Sequence, residues 1–409
     1  MKNTFRSLAG RDFRLYFAGQ GVSLVGTWVQ QVAFAWIAYR ITGSALMLGL
    51  IAFAGQFPTL VVSPFSALLT DHFSRRGVLV VIQVIQMALA ALLAVLAWHG
   101  DMSPWVLVAA SLVLGLTGAV EMPVRQAFTP DIVHDRALMS NAIALNSVTF
   151  NAARLVGPAA AGVILAAFGE AACFAVNALS YVATIYTLLA IHPTAAEHAG
   201  GKKSIREGIT YVRHFAPARW LIITVVTASF CLAPYLTFMP VYAKDIFKGG
   251  PDTLGMLMAA SGFGALAAAL YLANRKSLYG LGDHMVTGCF ATAAAAGAFA
   301  YNHVMWTAFP LLVISGCGTI IVVTSCNILL QSLVPDNLRG QVMALYTMSF
   351  IGILPIASLI AGGIAHLVGV QPVFVMSGVL FAGLGLALRR KLPYLRQEAH
   401  PVLHAKGLL

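Results

Sequence analysis

The chain has 409 residues, of which 59% are hydrophobic and 10% charged, and its mean hydropathy is +0.83. A soluble domain is about 25% charged, so a water-soluble helical protein of this composition would have no polar surface to show and is excluded. The net charge of +11 needs no nucleic-acid partner, because it follows from where Lys and Arg fall along the chain.

A helix that crosses a bilayer needs about 20 mostly apolar residues. The polar, basic start (MKNTFRSLAGRDFRLYF) leads into an apolar run too long for a signal-peptide core, so that run is read as the first span. Apolar runs predict spans over about 15–39, 45–70, 77–98, 104–124, 141–167 and 171–191 in the first half. The second half predicts them over about 219–243, 252–273, 283–302, 305–331, 341–367 and 371–390. The expected fold class is therefore all-α integral membrane, with about twelve transmembrane helices in two pseudo-symmetric six-helix bundles. The expected organisation is a bundle over 1–191, a linker over 192–218, a second bundle over 219–396 and a tail over 397–409. Ile205, Ile209, Tyr211 and Val212 alternate with charges at helical spacing, so the linker is expected to hold an interfacial helix.

Cationic residues give the orientation. With the N-terminus inside, the inner loops and tails hold nearly all of the 25 Lys and Arg, and the outer loops hold only Arg40, Lys244 and Lys248. Both termini are thus expected on the cytoplasmic side. A trace of repetition supports two related halves: Gln126, Pro130 and Asp131 recur as Gln331, Pro335 and Asp336 at the corresponding place.

Ionisable groups inside the spans are few. Glu121 lies late in the fourth span, with Arg125 one turn on and Pro123 between them. Arg154 lies deeper in the fifth. A charge at membrane depth costs about 2.5–3.5 kcal/mol on insertion scales, which makes each a functional candidate. Two functional readings of Glu121 compete: a proton site, or a member of an inner charge network with Arg75. A third is a satisfied helix-end pair. Arg154 cannot lose its charge, so it either faces a water-filled cavity and an anionic substrate or pairs with a neighbouring helix. Behind it, Gly157, Pro158 and Gly162 form a candidate hinge, since Gly permits close approach and Pro frees a carbonyl. Gln30, Gln31, Gln56, Asn151, Asn177 and Asn327 are candidate cavity walls, joined by Tyr235 and Phe238 beside Pro234. The five cysteines fall in apolar segments and read as small apolar residues.

The loop SALLTDHFSRRGVLV at 66–80 resembles the loop signature of the major facilitator superfamily, G-x-x-x-D-R-x-G-R-[RK]. Asp71, Arg75 and Arg76 match its acid and later basic positions, while His72 replaces the first Arg and Ser74 the inner Gly. The stretches RLYFAGQ at 14–20, GTWVQQ at 26–31, EMPVRQA at 121–127 and RLVGP at 154–158 are similar to the exporter branch that includes the enterobactin exporter, the transmembrane secretion effectors. The resemblance implies alternating access, with Asp71 and Arg75 latching the cytoplasmic side. It also implies a bacterial inner-membrane location, a small-molecule substrate such as a siderophore or drug, and protons as coupling ion. A monomer in the lipid bilayer with no cofactor is expected.

No acid stands in the first span, and no G-x-x-x-x-G-K-[ST] loop occurs, which argues against ATP-driven transport. No catalytic triad or metal-ligand cluster is evident, so no catalytic or metal-binding residue is expected. The rivals are a lysophospholipid or other lipid flippase and, from another class, a membrane-embedded transferase or a transport-dead sensor.

Overall fold

A computed structural model describes residues 6–62, 73–133, 138–191, 205–275, 277–335 and 337–405. Among the described residues every regular element is helical. In chain order they are α1 (Arg11–Thr42), α2 (Ala45–Val62), α3 (Arg75–His99), α4 (Pro104–Ile132), α5 (Met139–Ala190), α6 (Ile205–His214) and α7 (Ala216–Val241). A π-helical turn (Tyr242–Ile246) follows, then α8 (Pro251–Ala273), α9 (Leu281–Ala300), α10 (Met305–Leu333), α11 (Arg339–Ile351), α12 (Ile353–Val368) and α13 (Val370–Ala405).

Ten helical stretches of the described residues are long and apolar enough to cross a membrane, the pair α11–α12 counting as one. They become the expected twelve when two features are included. Element α5 is too long for one crossing, and it breaks at Gly169, whose φ of 77° and ψ of −177° suit a residue without Cβ. Helix α9, with 20 residues, carries Asp283 and His284 in its first turn, which lower its mean hydropathy. Between α11 and α12, Pro355 lacks the N–H that would reach back to Ile351, and the ladder is interrupted there.

Large apolar side chains face outward along the spans, among them Phe168, Leu179, Val163, Val379 and Leu367. Trp98, Trp105 and Trp306 stand exposed at helix ends, where an amphipathic ring suits the membrane interface.

The chain divides into two compact units, Met1–Ala199 with Tyr242–Ala259, and Gly200–Val241 with Ala260–Leu409. The stretch Tyr242–Ala259 thus groups with the first unit, although it lies in the second half of the sequence.

The two units share part of one packing scheme. In the first, α1 and α3 pack on α5, and α2 packs on α4. In the second, α7 packs on α12 and α13, α9 packs on α13, and α9 packs on α10. The close crossings repeat as well. A Cβ at Gly115 of α4 would stand 2.5 Å from the Gly55 carbonyl oxygen of α2, and one at Gly316 of α10 would overlap the Ser261 carbonyl of α8. In both units, then, a residue without a side chain brings two helices together at corresponding places.

Helix α6 forms within the linker where the amphipathic pattern places it. Tyr211, Val212 and Phe215 pack on the second unit's core, and Gly208 lies against Gln341 of α11. The last helix differs from expectation: α13 continues to Ala405, well into the expected tail. Leu388, Leu392, Leu395, Ala399 and Leu403 recur at helical spacing, and Ala399 and Leu403 join the same core, which holds the extension in helical form.

Candidate functional site

The first unit gathers its charges at the junction of α3, α4 and α5. Ser74 caps α3, accepting from the Gly77 N–H at 3.1 Å, and this sets Arg75 and Arg76 as the first helical residues. Arg75 Nη1 donates to both carboxylate oxygens of Asp131 at 2.8 and 2.9 Å and to the Ala127 carbonyl at 3.0 Å. The pair sits beside an apolar cluster that includes Phe13, Tyr16, Leu79, Phe128 and Ile132. Asp131 is buried, at 7% exposure. Arg76 donates to the Leu189 carbonyl at 2.6 Å, in the last turn of α5, where backbone carbonyls lack helical partners.

On α4 as well, Glu121 has two hydrogen-bond donors and one ion-pair partner. Gln83 Nε2 donates to Oε1 at 3.1 Å, Gln86 Nε2 donates to Oε2 at 2.9 Å, and Arg125 lies at 3.4 Å on the same helix face. Gln86 also reaches Thr117 Oγ1 at 3.2 Å. The two glutamines lie three residues apart on α3, so both point at α4. Arg75 and Glu121 therefore have separate immediate partners, both drawn from α3 and α4.

Arg154 presents a different environment. It is half-buried on the first limb of α5, and among the described residues it has no hydrogen bond or ion pair. One turn earlier, Asn151 turns its amide back to the Ser147 carbonyl at 2.8 Å. One turn later, Gly157 lies against Trp28 of α1 so closely that a Cβ would overlap the indole side chain. Helix α5 runs through Pro158 without interruption. Gly162 faces the start of α8: its Cβ would stand 3.2 Å from the Cα atoms of Asp252 and Gly255. Gly255 in turn faces the Pro158 carbonyl, which a Cβ would approach to 2.6 Å. The candidate hinge residues thus line two close helix crossings.

The remaining polar candidates fall into two groups. Gln30 and Asn177 are buried and bonded to each other, Asn177 Nδ2 donating to Gln30 Oε1 at 2.7 Å, with Ser180 donating to Asn177 Oδ1 at 3.0 Å. They join α1 to the second limb of α5. Tyr235 and Phe238 are likewise buried, and Tyr235 packs edge-on to Phe374 at 4.8 Å between ring centres. Gln31 is exposed, Gln56 is half-buried, and Asn327 accepts from Gln331 at 2.7 Å. Asp71 lies outside the described residues.

Sequence reasoning missed three members of this site. Asp131 was visible in the repeated QAFTPD stretch, but nothing tied it to Arg75. Gln83 and Gln86, in VVIQVIQMALA, are polar residues on one face of an otherwise apolar span, and that spacing was the available signal. Among the described residues no cluster of His, Cys, Asp and Glu could hold a metal ion.

Known proteins agree with this architecture. The staphyloferrin A transporter of Staphylococcus aureus is 24% identical over 370 residues, covering 90% of this chain and 92% of its own. The multidrug efflux pump Tap of Mycolicibacterium fortuitum is 25% identical over 373 residues, covering 87% of this chain and 88% of its own. Among solved structures, the nucleoside transporter NupG superposes with a TM-score of 0.72 at 13% identity, over 92% of this chain and 99% of that one. A bacterial homologue of the lysosomal transporter Spinster gives 0.69 at 12% identity, over 96% and 97%. These likenesses show the fold. A family model described as transmembrane secretion effector matches residues 2–407. The chain belongs to the transmembrane secretion effector family of major facilitator transporters, and it is a multi-pass membrane transporter rather than an enzyme.

Proposed function

We propose that this protein is a proton-driven exporter of a small anionic or amphiphilic molecule, with Arg154 as the group that recognises the anion. The observation that carries the reading is a half-buried guanidinium within a spanning helix that has no partner among the described residues. Its charge is permanent, and an unpaired charge in a membrane helix is costly, so water and an anionic ligand supply the missing interaction. Relatives named for staphyloferrin A and for drug efflux support a siderophore-like or drug-like cargo.

In this reading the protein works by alternating access in the bacterial inner membrane, as a monomer with both termini in the cytoplasm, and the halves 1–191 and 219–396 are its moving bodies. The ion pair Arg75–Asp131, the Arg76 contact and the group around Glu121 and Arg125 form a charge network at the cytoplasmic face. Two amide donors and a guanidinium around one carboxylate favour the network role for Glu121 over proton carriage. Gly157, Pro158 and Gly162 let α5 shift against its neighbours.

The test is export by a host stripped of its own exporters, with and without this gene, across carboxylate and catecholate siderophores and cationic drugs. Gene-dependent export of the anionic compounds that stops with a protonophore is the expected result. Export confined to cationic compounds, or export indifferent to the protonophore, would overturn the reading.

A further inference from the structure

The second unit contains an apolar cavity of about 240 Å³ that none of the functions above uses. It lies under the extension of α13, and its walls include Trp220, Met285, Leu333, Leu392, Leu395 and Leu403. An apolar cavity of about 150 Å³ already accommodates benzene, so this one has room for several carbons of a hydrocarbon chain. Its rim is polar and cationic. Arg396 and His400 of α13 line it together with Tyr279 and Gly280. Gly280, at φ 80°, brings the backbone to the point where Arg275, Asp283 and His284 gather within about 4 Å of its Cβ direction. Arg275 Nη2 donates to the Tyr279 carbonyl at 2.5 Å, and Arg396 pairs with Asp283 at 2.5 Å. Arg275 also donates to the Tyr271 hydroxyl at 3.3 Å and makes no ion pair with Asp283, so two guanidinium groups stand at this rim with one carboxylate, which Arg396 alone engages. Arg389, Arg390 and Lys391 stand on the same helix.

We propose that this cavity is a binding site for an anionic phospholipid, with one acyl chain between α7, α9, α10 and α13 and the headgroup phosphate at Arg396 and Arg275. Apolar walls and a cationic rim match the two ends of such a molecule, and no purely apolar or cationic ligand satisfies both. Trp220 on the wall suits the level at which acyl chains give way to headgroups. The continuation of α13 beyond its span forms most of one wall, which gives that extension a role besides packing. The site lies wholly within the second unit and does not depend on the reading of Arg154.

The experiment is native mass spectrometry of the full chain in detergent, titrated with dimyristoyl phosphatidylglycerol or dimyristoyl phosphatidylcholine. The wild type should bind the first phosphatidylglycerol more tightly than phosphatidylcholine. Removing one rim cation with Arg396→Ala should weaken phosphatidylglycerol about fivefold and leave phosphatidylcholine unchanged. Ala399→Trp, which fills the cavity, should abolish the site for both lipids. Leu270→Trp, a similar enlargement at an exposed position of α8, should bind as the wild type does. Equal affinity of the wild type for the two lipids would overturn the proposal, as would undiminished phosphatidylglycerol binding in folded Ala399→Trp. If Ala399→Trp does not fold, Arg396→Ala decides, since its side chain is about half exposed and its loss leaves the core intact.

Discussion

Arg75 and Asp131 each occupy the helix end that disfavours their charge. Arg75 opens α3, where the helix dipole is positive, and Asp131 sits in the last turn of α4, where it is negative. Each is placed against its own helix and is made tolerable by the other. Removing one partner leaves a buried charge uncompensated, so Asp131→Ala should cost about 3 kcal/mol, read as a lowered midpoint in thermal unfolding in detergent. Asp131→Asn keeps an oxygen acceptor for Arg75 and should cost less. Equal midpoints for Asp131→Ala and wild type would show that the pair contributes nothing. Glu121→Gln tests the second group. An amide at this position still accepts from a glutamine but loses its attraction to Arg125, so export should fall while remaining sensitive to a protonophore. Export that persists but no longer responds to the protonophore would make Glu121 the proton site instead.

At the scale of the helix, small residues decide where elements cross. Gly157→Leu must displace Trp28, and overpacking of this kind costs about 1–3 kcal/mol. Gly363→Ala in α12 meets nothing within 4 Å and should be neutral or mildly stabilising, measured in the same thermal assay. Much of this level was legible beforehand. Apolar runs located the spans, the alternation of Ile209, Tyr211 and Val212 with charges located α6, and Gly157 with Gly162 marked close approaches. Other features were not legible because they depend on tertiary partners. The length of α13 follows from a stripe that needs the second unit's core to pack against. The partner of Arg75 lies on another helix, and neither composition nor spacing links positions 75 and 131. Gln30 and Asn177 looked like cavity walls because a polar residue in an apolar span carries no label for its direction. In this structure they are buried and bonded to each other, joining α1 to α5.

At the scale of the molecule, the twelve-helix major facilitator fold describes a transporter, and the few charges within its spans distinguish one transporter from another. Glu121 and Arg75 are provided with partners by the protein itself. Arg154 has no such partner among the described residues, and a charge at membrane depth is costly. In the proposed function Arg154 is a ligand group, so its removal should affect transport far more than folding. The most direct test is purified protein in proteoliposomes with an imposed pH gradient, comparing wild type, Arg154→Lys and Arg154→Ala for transport of a carboxylate siderophore. Arg154→Ala should lose transport by at least about tenfold, the equivalent of one charge-assisted hydrogen bond. Arg154→Lys should retain part of it, and all three should melt at closely similar temperatures. Undiminished transport by folded Arg154→Ala would contradict the assignment of Arg154 as the anion-recognising group.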